Sequence, residues 1–164
     1  FVDEPDLSDS IFTFDVHSNE LYGLNLRKIL SQLNQYLNNV QLSFDGLYRN
    51  GICIYDALIE HFIKVIKEEY GQYDWRGLCV IKDHKSVMVE RIRYLSDVLK
   101  IKFESLDMYI ELKNKCNLLV VLYLKYGYTK NEKNVQRMIE ILKKMYELEK
   151  SALEKLIYEI ERIV

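Results

Sequence analysis

The chain has little of what most recognisable chemistry needs. Its 164 residues include one proline and six glycines. So few breakers exclude collagen-like and low-complexity architectures and favour long helices. Three cysteines, Cys53, Cys79 and Cys116, form no Cys-x-x-Cys and cannot all pair. That count argues against a disulfide framework and for a reducing compartment, with the thiols acting as small buried hydrophobes. The three histidines, His17, His61 and His84, stand alone, without the spacing a metal site needs. Neither Gly-x-Gly-x-x-Gly nor Gly-x-x-x-x-Gly-Lys occurs, so no phosphate cradle is indicated, and no Gly-x-Ser-x-Gly marks a nucleophile.

Charge of one sign is also missing. Lys and Arg total 23 against 25 Asp and Glu, a net of -2. Nothing in that balance calls for nucleic acid or an anionic membrane surface. The one basic-aromatic corner, Lys125, Lys130 and Lys133 among tyrosines in "YLKYGYTKNEKN", lies between acidic flanks. Long apolar runs are absent too. The longest stretch without a polar residue, Leu118 to Leu124, has seven residues, against the roughly 20 a spanning helix requires. The opening "FVDEPDLSDS" is acidic and short of apolar length, so no secretory leader is expected from it.

Catalysis finds no constellation either. Cys53 and His61 are eight residues apart, about 12 Å of helix rise, and cannot meet on one helix. Cys79 and His84 are nearer, with nothing to orient them. Glu68-Glu69, Glu147/Glu149 and Glu159/Glu161 read as solvated helix faces, with i,i+4 partners such as Glu140 and Lys144. No catalytic residue, cofactor or metal ligand is expected. A helical protein that recognises another protein remains.

What is present is helical periodicity. Residues 1–20 read as an arm, with the proline and a short "IFTFDV", and 21–164 as one helical domain. A first helix is expected from about Tyr22 to Val40, with Leu26, Ile29, Leu30, Leu33 and Leu37 inward. Asp-Gly and Asn-Gly in "SFDGLYRNG" signal turns. A second helix spans about Ile52 to Tyr70, capped by Gly71. "QYDWRGLCVIKD" suits a single turn, and the next helix runs from about Lys85 to Lys102. The helix from Ser105 to Tyr126 is apolar on nearly every side of its second half, which predicts a buried central helix ending at Gly127. Val120-Val121 would suit a strand, but no partner strand lies nearby. Two closing helices are expected, about Asn131 to Glu149 and Ser151 to Val164.

The first of these closing helices carries two stripes, Val135, Ile139, Leu142 and Tyr146, and Met138, Ile141, Met145 and Leu148. Two stripes call for burial on two sides: against the core, and against either a partner or the last helix. The total is six or seven helices in an all-α domain.

Several stretches together resemble the poxviral Bcl-2-like immunomodulators. "IYDALIEHFIKVIKEEYG" resembles their second helix, which runs from an aromatic-x-x-Leu start to a Tyr-Gly. "CNLLVVLYLKYGYTKNE" is similar to their central helix, with its apolar run, its Cys and its aromatic-Gly-aromatic end. "SDSIFTFDV" and "LRKILSQLNQYL" are similar to their arm and first helix. The spacer between Gly71 and Tyr126 is longer than in that group, and Tyr126-Gly127 stands where Trp-Gly is common.

The resemblance implies a Bcl-2-like bundle around a sheathed central helix. It implies a non-enzymatic viral protein of the host cell cytoplasm that binds host signalling proteins. NF-κB activation or interferon induction would be its target, in immune evasion. Many of these proteins form homodimers through their first and sixth helices. On that basis Asn34, Tyr36, Met138, Ile141, Met145 and Leu148 are the candidate dimer or partner face. The alternative is an anti-apoptotic relative that holds pro-death helices in a groove. "SLDMYIELKNKC" lacks the Asn-Trp-Gly-Arg that usually borders such a groove. A secreted cytokine-like bundle is a third reading, opposed by the cysteine pattern.

Overall fold

The computed structural model describes residues 23–39, 51–67 and 76–164. The candidate arm, the Asp45-Gly46 turn, the Tyr70-Gly71 cap and Trp75 lie outside the described residues. Those residues form five α-helices and one 3-10 turn, and contain no strand: α1 Leu26–Leu37, the turn Gly51–Cys53, α2 Ile54–Ile66, α3 Arg76–Leu99, α4 Ser105–Thr129 and α5 Glu132–Glu161. The all-α class expected from periodicity holds. The number and limits of the helices differ, and each difference has a local cause.

The two closing helices are one. Glu149, Lys150 and Ser151 lie inside a continuous helix of 30 residues. No Gly or Pro interrupts that stretch, and charged residues at a change of stripe do not break a helix. Asn131 starts it, its side chain accepting from the Lys133 amide at 3.0 Å. Similarly, α3 begins at Arg76 and absorbs the stretch expected to be a separate turn. Gly77 sits inside it where an added Cβ would stand 3.4 Å from the Leu58 side chain of α2.

Two helices end on lysines in the left-handed conformation, one of them three residues past the Gly127 expected to end α4. α4 continues through Gly127, and Lys130 takes the left-handed conformation at φ 51°, its amide donating to the Tyr126 carbonyl at 2.8 Å. Lys100 does the same after α3, at φ 56°. The start of α4 has no cap from its own chain segment. Glu159 of α5 supplies one, accepting from the Glu104 amide at 2.7 Å and from the Ser105 hydroxyl at 2.6 Å. A carboxylate at a helix N-terminus also meets the positive end of the helix dipole. Glu159 is therefore a cap, and the solvated-face reading of it is corrected.

The centre of the molecule is α5. Eleven of its residues are buried, from Asn134 to Ile160, and α1, α2 and α4 all pack on it. Among the described residues α4 packs mainly on α3 and α5, with Phe62 of α2 meeting its Tyr123 ring edge-on at 6.4 Å. Its inner face, Tyr109, Leu112, Cys116, Leu119, Leu122 and Tyr123, is buried, but Leu118, Val121 and Leu124 are exposed. The sheath expected around α4 is therefore incomplete among the described residues: all-round apolarity does not bring a neighbour to every side. α1 lies across the top with no residue fully buried. Gly51 fixes the entry to α2. It has φ +73°, and a Cβ there would stand 2.3 Å from the Tyr36 carbonyl oxygen.

Candidate functional site

Two features meet where α1, α3 and α5 come together: a buried ionic cluster and, beside it, an open groove. The cluster begins with a misfit in two apolar stripes. On α3 the inward positions are Leu78, Ile81, Lys85, Met88, Val89 and Ile92; on α5 they include Leu142, Met145, Glu149, Ala152 and Leu153. The single Lys and the single Glu on these faces are both fully buried, and they pair with each other.

Lys85 spends all three ammonium protons. They go to Glu149 Oε1, to His84 Nδ1 at 3.0 Å and to the Tyr36 hydroxyl at 3.2 Å. The ammonium also lies over the Tyr36 and Tyr55 rings, 5.5 and 5.6 Å from their centroids. Burial pulls the Lys85 pKa below the usual lysine value, and Glu149 pulls it back up. Because an acceptor holds each proton, the charged form is the one this cage fits.

The surrounding groups are tuned to stay neutral. Burial first, then the Lys85 charge, lowers His84 from 6.5 to about 4. Its ring stacks on Tyr36 with centroids 5.2 Å apart. Tyr36, Tyr55 and Tyr109 are pushed up by burial and then by the Glu149 carboxylate. Burial pushes the Cys116 thiol up to about 12, which keeps it protonated and inert. Cys53 and Cys79 are half-buried. The buried Tyr109 hydroxyl has no hydrogen-bond partner among the described residues. Among the described residues no three His, Cys, Asp or Glu converge as metal ligands.

The groove runs between α1 and α3 and has a volume of about 1110 Å³. Leu33 and Ile29 form one wall, Val87 and Arg91 the other, and Tyr109 with Leu156 the floor. Tyr36 and His84 close the end nearest the ion pair, so the stacked rings belong to both features.

The six residues proposed as a partner face are dispersed. Met138 and Met145 are fully buried in the core of α5, where they have no surface to offer. Ile141 and Leu148 are partly buried and pack against the core cluster. Asn34 spends its amide on the Leu30 carbonyl at 3.0 Å. Tyr36 alone reaches the groove. The chain's own helices cover the second stripe, since α1, α2 and α4 all dock on α5. The periodicity assigns no role here to Lys85, His84, Tyr109 or Arg91, and the solvated-face reading of Glu149 is corrected: it is fully buried and paired with Lys85. Two of these had a signal: Lys85 and Glu149 each interrupt an otherwise apolar helical stripe, so they had to find a partner or reach solvent.

Among the described residues no helix is long and apolar enough to cross a membrane. Comparison with protein-family models, with curated proteins and with solved structures finds no match to the chain.

Proposed function

We propose that the chain is a non-enzymatic protein-interaction module of the Bcl-2-like kind, a viral protein that binds host signalling proteins in the host cytoplasm and lowers innate immune output. The groove between α1 and α3 carries this reading. Its apolar walls and open length suit a stripe of side chains from a partner helix. The all-α class and the order of the resembling stretches support the same reading. In this account the Lys85–Glu149 pair fixes how α3 sits on α5, and so holds one wall of the groove in place.

Expression in cultured cells carrying NF-κB and interferon-promoter reporters tests it. Wild type should reduce at least one output after stimulation. Val87→Arg, on the exposed rim of the groove, should relieve that block without changing expression level. Full output with wild type present would sink the proposal.

The groove also favours the anti-apoptotic alternative, in which it holds a pro-death helix. Titration with such helices separates the two. Submicromolar binding that Val87→Arg abolishes would select the apoptotic function, and no binding alongside reporter inhibition would select the signalling one.

A further inference from the structure

Among the described residues no helix covers the outer face of α4, and its composition is directional. Asp107, Glu111, Asn114, Leu118, Val121 and Lys125 follow one another along one side of the helix, and all are exposed. Leu124 and Tyr128 flank the far end. Exposure reaches 38% at Leu118, 59% at Val121, 52% at Leu124 and 90% at Tyr128. The face thus runs from acidic, through amide and apolar, to basic.

We propose that this face pairs with the same face of a second copy of the chain, antiparallel, about a two-fold axis between Leu118 and Val121. Charge selects both the occupant and the direction. Parallel pairing would set Asp107 and Glu111 against their own copies. Antiparallel pairing sets the acidic end of each copy beside the basic end of the other, and the two-fold makes each contact twice. With Leu118 of one copy against Val121 of the other, Asn114 stands opposite Lys125 and Glu111 opposite Tyr128. Lys125 then reaches Glu111 by spanning one helical turn. Glu111 is within reach of a second copy: among the described residues it pairs with Lys115, in its own helix at 3.1 Å, and it is 57% exposed. The strip is short, so the dimer belongs with small, weak interfaces that bury below roughly 1,200 Å².

This pairing does not rest on the function proposed above, because the groove lies between α1 and α3 and the outer face of α4 takes no part in it. Reporter activity and self-association can fail separately.

Sedimentation velocity of the full chain from roughly 1 µM to 1 mM, the range of weak interfaces, tests the proposal. Wild type should pass from monomer to dimer. Val121→Asp should stay monomeric, with its helical circular dichroism and its Tm unchanged. Lys125→Glu should weaken the dimer roughly tenfold, and Glu111→Lys combined with Lys125→Glu should restore it, since only a second copy carries the matching swap. The swap keeps the test decisive even if Val121→Asp unfolds. A wild type that is monomeric throughout overturns the proposal. So does an unrestored double swap, or a monomer that binds anionic vesicles through Val121.

Discussion

Helices α4 and α5 are neighbours of similar length, and their sequences mislead in opposite directions. α4 holds the longest apolar run of the chain yet leaves Leu118, Val121 and Leu124 exposed. α5 is studded with lysines and glutamates yet buries eleven residues, one of them a glutamate. The difference lies in what surrounds them. Among the described residues α5 takes α1, α2 and α4 on its flanks, whereas α4 packs mainly on α3 and α5 and leaves its Leu118, Val121 and Leu124 side exposed. A helix's own pattern says how much of it could be buried. The number of neighbours decides how much is.

The sharpest way to break the contrast is at α5's one buried charge. Lys85→Ala leaves Glu149 charged and buried without its cation, and should cost about 3–5 kcal/mol in chemical denaturation. Lys85→Met with Glu149→Leu should recover most of that, because two apolar side chains remove the desolvation cost of both ions. A double variant no more stable than Lys85→Ala would mean that the pair supplies more than mutual neutralisation.

Core truncation separates the helices next. Leu142→Ala, fully buried on α5, should lose about 2–5 kcal/mol, as should Leu119→Ala on the inner face of α4. Ile141→Asp should also destabilise, since Ile141 packs against the core. Retained stability would return it to a free surface.

A smaller effect comes from His84. The unfolded chain protonates it near 6.5 and the folded chain only near about 4. Between those values the unfolded state holds more protons, so stability rises with pH. His84's contribution is complete above 6.5, is lost as pH falls toward 4, and is on the order of 1–3 kcal/mol. Tm measured across that window should fall on the acid side, and His84→Gln should flatten that part of the curve. The smallest change is expected on the outer face of α4. Val121→Ser should leave unfolding within about 0.5 kcal/mol of wild type in dilute solution. A large loss there would mean that the face is covered.

Much of this was legible in advance. Helical periodicity locates α1 and α2 to within a few residues. Helix ends were read less well. Glycine is the residue that takes the left-handed conformation most freely, but Lys100 and Lys130 adopt it where the chain must turn. The cap on α4 was invisible because Glu159 lies 54 residues away from Ser105. Met138 and Met145 of the candidate face lie in the core for a related reason: a second stripe on α5 calls for a second neighbour, and periodicity does not say whether that neighbour belongs to another molecule or to the same chain.

The sequence by itself determined that this chain is helical and which of its residues can face inward. Those are matters of local spacing, backbone sterics and transfer free energy, and each is settled within a few turns of helix. Only the tertiary structure decided that Lys85 answers Glu149, that α5 is the central helix, and that α1 and α3 part to leave a groove. Each of these depends on which distant segments become neighbours, and packing settles that for the whole chain at once.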